Sequence, residues 1–187
     1  MGRIKAICIS EKKGTQKTEV PEADRPFTAA WITLSDKGYA GEREDRSGPM
    51  IDKLLKAAGY EVVEHMLLAD DKAVLQRQLI RLADQRQVNV VFTTGGTGFS
   101  LRDQTPEATI AVCDRLTPGI DEAIRAYSMK ITPRAMLSRA ASGIRKQTLI
   151  INLPGSPKAV EESLSYILPV LPHGIEILRG TASECSR

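Results

Sequence analysis

The sequence predicts an α/β fold organised around a parallel sheet, and three observations carry that reading. The run "VNVVFTT" (88–94) is almost continuously apolar, as in a strand covered on both faces of a parallel sheet. The run "DKAVLQRQLIRLADQR" (71–86) repeats Leu75, Leu79 and Leu82 at helical spacing, which gives one apolar face. Strand-like and helix-like stretches alternate from Phe27 onward, the pattern of α/β proteins.

Each element follows in order. Residues 1–26 form an N-terminal arm: a strand-like "IKAICIS", then the polar "EKKGTQKTEVPEADRP", which has no apolar period. "FTAAWITLS" (27–35) is the first strand of the regular part, "SGPMIDKLLKAAG" a helix that stops at Gly59, and "YEVVEHMLLA" (60–69) a second strand. After helix 71–86 and strand 88–94, Thr105-Pro106 reads as a helix start, because a hydroxyl caps free amides and proline suits the first turn. "PEATIAVCDRL" and "PGIDEAIRAYSMK" are then helices, and "QTLIINL" (147–153) is the last strand. Ser156-Pro157 repeats the start signal before "KAVEESLSYIL"; "GIEILRG" is a final short helix, and 181–187 a polar tail.

Composition excludes several classes. A hydrophobic fraction of 42% with 26% charged residues is that of a globular chain, and no run approaches the roughly 18 apolar residues of a spanning helix. With no targeting signal at either end, a cytoplasmic protein is the expectation, with no membrane partner. Cys8, Cys113 and Cys185 are odd in number and form no CxxC pair, against a disulfide framework or a thiolate zinc site. His65 and His173 lie in separate segments and offer little for a Ser-His-Asp triad. A net charge of +3, spread along the chain with 4% aromatics, points away from nucleic acid and suits a small anion.

Two loops leave strands and enter helices in one polar style, "TTGGTGFSLRDQTPE" and "LPGSPK". In open parallel sheets ligands bind beyond the carboxyl ends of the strands, so both loops are expected at that edge. Gly95, Gly96 and Gly98 allow positive φ and let amides approach a ligand, forming an anion nest beside helix N-termini. Plain turn geometry explains such glycines equally well, and the loop is neither a Walker A motif nor a GxGxxG. Arg102 and Asp103, a cation and a carboxylate at its mouth, raise the case for a ligand.

Together with "ITLSDKG" (32–38), "LLADD" (67–71) and "IINLPGSPKAVEESL" (150–164), "TTGGTGFSLRDQTPEAT" resembles the MoaB/Mog family of molybdenum-cofactor biosynthesis, including bacterial molybdopterin adenylyltransferases and gephyrin-type G domains. The resemblance runs from about Phe27 to Gly180 and implies a three-layer α/β/α domain with a mostly parallel sheet, assembled as a homotrimer. It implies Mg²⁺-dependent transfer of AMP from ATP to the terminal phosphate of molybdopterin, with release of pyrophosphate and a downstream metal-insertion protein as partner. By the same resemblance, Asp70 and Asp103 are the catalytic and Mg²⁺-binding acids. Gly95, Gly96, Thr97 and Gly98 match the substrate cradle, Ser35 and Asp36 the loop after the first strand, and Pro154, Gly155 and Ser156 the "PGSP" turn. Arg102, Thr105 and Glu107 complete the expected binding set.

Plainer roles stand beside these. Asp70 and Asp71 suit helix capping, Ser35-Asp36 an Asx-turn, Ser156 a cap, and Glu107 a first-turn acid facing the helix dipole. Arg145 and Lys146 remain unassigned. The arm's "AICISEKKGTQKTEV" resembles the opening strand and turn of a MOSC domain, too short for a complete module, and reads as a truncated remnant from which no MOSC activity is inferred. Two other functions compete: a scaffold that binds molybdopterin without turning it over, and a nucleotide hydrolase related to competence-damage proteins.

Overall fold

The structure is a computed structural model that describes residues 25–181. The expected arm strand, its MOSC-like stretch, Cys8, Cys185 and the tail beyond Thr181 lie outside the described residues.

Six strands form one sheet in the order β2-β1-β3-β6-β5-β4: β1 (Thr28–Leu34), β2 (Glu61–Leu68), β3 (Val90–Thr94), β4 (Arg115–Leu116), β5 (Ser142–Arg145) and β6 (Thr148–Leu153). The pairs β1–β2, β1–β3 and β3–β6 are parallel, whereas β5 runs antiparallel to β4 and β6. The helices are α1 (Asp36–Tyr39), α2 (Ser47–Ala57), α3 (Lys72–Asp84), α4 (Thr105–Val112), α5 (Pro118–Met129), α6 (Pro157–Ile167) and α7 (Leu171–Arg179), with a 3-10 turn at Pro133–Leu137.

Strand alternation sorts side chains onto two faces and produces the expected three layers. Ala29, Trp31, Val90, Phe92, Leu149 and Ile151 pack towards α2, α5, α6 and α7. Ala30, Ile32, Leu34, Val91 and Ile150 pack towards α3 and α4, meeting Leu75, Leu79 and Leu82. Because β1, β3 and β6 are covered on both faces, all their residues except Thr28 at the start of β1 are buried, which explains the largely apolar runs in the sequence. Gly48 at the start of α2 lies so close to the Trp31 indole that a Cβ there would come within 2.3 Å of the ring.

Four local readings are corrected. The helix expected at 106–116 stops at Val112, and Arg115–Leu116 instead pair with β5 as β4. β5 itself was hidden in "SGIR"; its turn to β6 places Lys146 at φ 52, where glycine or asparagine is the usual signal, and the Lys146 N–H donates to Asp114 Oδ2 at 2.7 Å. The four-residue α1 was also unread. Thr105 is not a cap: it is the first residue of α4, and Gln104 precedes it without a side-chain capping bond.

At the sheet edge where β1 begins, the Arg179 guanidinium donates to the carbonyls of Arg25 and Pro26 at 3.0 Å each and covers the Phe27 ring at 4.7 Å. Among the described residues no helix is long and apolar enough to cross a membrane.

Candidate active site

Strand register decides where the loops meet. Leu34 stands opposite Leu68, Thr33 opposite Thr94, and Thr94 opposite Leu153, so β1, β2, β3 and β6 end at one level. The loops that follow enclose a cleft of about 920 Å³. That is the size of a site for a nucleotide or cofactor.

The turn after β3 is shaped by two glycines. Gly95 has φ 99 and Gly96 φ 64. A Cβ on Gly95 would lie 2.3 Å from the Leu34 carbonyl oxygen, and one on Gly96 2.3 Å from Thr105 Oγ1. Gly98 does not share the positive φ expected of it; its lack of a side chain leaves room for the Asp103 carboxylate, 2.8 Å from where a Cβ would be. The Thr105 N–H donates to Gly96 O at 3.1 Å, fastening the start of α4 beneath the turn.

Around this turn stand three carboxylates in different states. Asp36 and Asp70 hold each other's loops reciprocally: the Asp36 N–H donates to Asp70 Oδ2 at 3.0 Å, and the Asp70 N–H to Asp36 Oδ1 at 2.9 Å. The Arg102 guanidinium grips Asp36 with two bonds of 3.0 and 2.9 Å, which lowers the Asp36 pKa. Asp70 is pushed the other way, first by burial and then by the charges of Asp36 and Asp103, against the lowering effect of its backbone bond and of Arg102. Asp103 accepts the Ser100 N–H at 3.0 Å. Among the described residues neither Asp70 nor Asp103 forms an ion pair.

The opposite wall comes from α2 and α6. Asp45 Oδ1 accepts the amides of Ser47 and Gly48 at 3.0 Å each, and Ser47 Oγ donates to Gly155 O at 2.8 Å, tying the start of α2 to the loop after β6. Ser156 Oγ accepts the Ala159 N–H at 3.2 Å as the cap of α6. Ser35 caps α1 in the same way through Gly38 N–H, at 3.1 Å, and also accepts from Arg43 at 3.2 Å. The cleft thus presents helix starts and backbone amides beside two acids that form no ion pair among the described residues, a setting for phosphate groups and a hard cation.

Residues 30–173 match the MoCF_biosynth family, the probable molybdopterin binding domain. The chain belongs to this family. Within it, the chain is 40% identical over 151 residues to a molybdopterin adenylyltransferase of Helicobacter pylori, covering 80% of this chain and 86% of that one. An Escherichia coli molybdopterin adenylyltransferase is also 40% identical over 151 residues, covering 77% of each chain. The crystal structure of the molybdopterin biosynthesis enzyme MoaB from Thermus thermophilus superposes with a TM-score of 0.78 at 42% identity, over 82% of this chain and 97% of the other. The MoaB/Mog resemblance read from the motifs is therefore correct.

The family fold gathers most, not all, of the expected residues. Ser35, Asp36, Asp70, Gly95, Gly96, Arg102, Asp103, Gly155 and Ser156 line the cleft. Thr97, Gly98, Thr105, Glu107 and Pro154 stand behind it: Pro154 O accepts the Thr94 hydroxyl at 2.6 Å, and Glu107 pairs with Arg139. Asp71 caps α3 through the Val74 N–H at 2.9 Å, so the capping role belongs to Asp71 and leaves Asp70 facing the cleft. Sequence reasoning missed Arg43, Asp45 and Ser47; an acid two residues ahead of "SGP" was a readable cap signal. It also missed Arg139, which no local pattern marks. Arg145, unassigned before, grips Asp84 at 2.9 and 2.6 Å on the far side of the molecule.

Proposed function

We propose that this chain is a molybdopterin adenylyltransferase that transfers AMP from ATP to the terminal phosphate of molybdopterin and releases pyrophosphate. The observation that carries the proposal is the meeting of Asp70 and Asp103 in one cleft beside the glycine turn, neither acid ion-paired among the described residues. Relatives of that name at 40% identity supply independent support.

The donor set fits Mg²⁺ better than a metal held by protein alone. Among the described residues no group of three or more His, Cys, Asp or Glu could hold a metal ion. Magnesium commonly takes one or two carboxylates and completes its shell with water and substrate phosphates. Asp70 and Asp103 would hold it, and bound there it would neutralise phosphate charge. The protein's own groups do the rest by positioning. The amides of the Gly95–Gly96 turn and the start of α6 would receive phosphate oxygens, and Arg102, oriented by Asp36, would present its guanidinium at the rim. Ser35 and Ser156 keep their hydroxyl hydrogens for donation while their oxygens cap helices. A terminal phosphate oxygen of molybdopterin attacks the α-phosphorus of ATP, and the bond to the β-phosphate oxygen breaks. The nucleophile is already anionic at neutral pH, so no histidine base is required.

The same reading includes a homotrimer acting in the cytoplasm that hands its product to a metal-insertion protein; sedimentation velocity tests the trimer. Product analysis after incubation with molybdopterin, ATP and Mg²⁺ tests the activity. Metal-dependent adenylylated molybdopterin and pyrophosphate are expected. Tight pterin binding without product would favour the scaffold role, and nucleotide hydrolysis without pterin the hydrolase.

A further inference from the structure

We infer that Arg139 is the positioning residue that sets the shape of the glycine-to-aspartate loop, and through it the placement of Asp103. This inference rests on the proposed adenylyl transfer for its catalytic consequence, but the geometry is independent of it. Four donors of this one residue reach the loop and the helix behind it. The Arg139 N–H donates to Thr97 O at 3.0 Å, and Nε donates to Gly98 O at 2.7 Å. Nη2 donates to Asp103 O, and Nη1 to Glu107 Oε1 in the first turn of α4.

Beyond the Arg102–Asp36 pair on its outer side, the loop has few other long-range ties. Its tip displays Phe99 and Leu101, 70% and 95% exposed, so apolar packing does not hold it. The bonds within it are short-range, from Ser100 N–H to the Asp103 carboxylate and from Asp103 N–H to Ser100 O. The guanidinium is a rigid planar fork, and fixing Gly98 O and Asp103 O on one plane fixes the two ends of the loop relative to each other. Peptide groups are planar and trans, so a carbonyl held on Arg139 turns the next N–H away from it. The amides of Phe99 and Gln104 are oriented by that rule. Arg139 itself is absent from the cleft lining, which separates it from residues that touch substrate. The Arg139–Glu107 pair also lowers the Glu107 pKa, although burial alone would raise it.

The test combines kinetics with amide hydrogen exchange on the full chain. In Arg139→Gln, kcat for AMP transfer is expected to fall about tenfold or more while KM for molybdopterin stays within about threefold, the mark of lost orientation. Arg139→Lys, with a point charge and no fork, recovers only part of kcat. Millimolar ethylguanidinium restores turnover to Arg139→Ala and leaves the wild type unchanged. Exchange at residues 98–104 speeds up in each variant, while β1, β3 and β6 keep their protection. A kcat within about twofold of wild type in folded Arg139→Gln, or exchange that rises uniformly across the domain, would overturn the inference. If the wild type transfers no AMP, the proposed activity fails, and the exchange pattern alone decides on Arg139. Should the Gln and Ala variants not fold, exchange in Arg139→Lys decides.

Discussion

Two acids of the cleft, Asp70 and Asp103, are held differently from three acids of the body, and also from their cleft neighbour Asp36, which Arg102 grips. In the body, Glu64 is paired with Arg81, Asp84 is gripped by Arg145, and buried Asp121 accepts both the N–H and the hydroxyl of Ser142 at 2.7 Å each. Each has its partners supplied by another element, and each ties two elements together. In the cleft, Asp70 and Asp103 accept backbone amides and face other acids. Leaving charge unpaired costs stability, and such groups concentrate where a ligand supplies the missing partner. On the proposed function, the contrast sets Asp70 and Asp103 apart from carboxylates whose side-chain partners are built into the fold.

Four substitutions break or sharpen this contrast. The largest effect is expected from Asp121→Ala, which strands two buried donors of Ser142 and should cost about 2–3 kcal/mol in chemical denaturation, with residual activity unchanged per folded molecule. Asp103→Asn should cut AMP transfer at least about tenfold, roughly 1.4 kcal/mol of transition-state stabilisation, with no loss of melting temperature. Asp70→Asn should also lower transfer, yet raise stability at neutral pH, by at most about 1 kcal/mol after solvent screening. The sign follows from the raised pKa: charged Asp70 opposes folding above its folded value, and the opposition fades as pH falls to the ordinary carboxylate range. The variant and the wild type should therefore converge in stability near about pH 3, below that range. The smallest change belongs to Glu64→Gln, below about 1 kcal/mol at neutral pH for a partly exposed pair. Its pKa is lowered by Arg81, so its contribution is present at neutral pH and disappears as pH falls through the folded value, opposite to Asp70.

What the sequence made legible follows from how locally each feature is encoded. β1, β3 and β6 carry their burial in their own composition, and α3 carries its face in Leu75, Leu79 and Leu82. β4 and β5 do not: a two-residue exposed strand has no pattern, and the β5–β6 turn substitutes a lysine held by Asp114 for the usual glycine. The cleft acids were readable because their loops keep family motifs in order. Arg139 was not, since it lies 36 residues beyond Asp103 and gains its meaning only when the chain after the 3-10 turn returns against the loop.

The Arg179 clasp has a consequence for architecture. It draws the residue that leads into β1 and the last turn of α7 to the same spot, on the edge of the sheet away from the cleft. β1 is seven residues long, which at about 3.3 Å each sets roughly 23 Å between that spot and the level of the glycine turn. Entry and exit of the domain are thus neighbours on the blind side of the molecule. A tag, a linker or another folded unit joined at Arg25 or just after Arg179 starts from there, and the domain can be spliced into a longer polypeptide with its mouth still open.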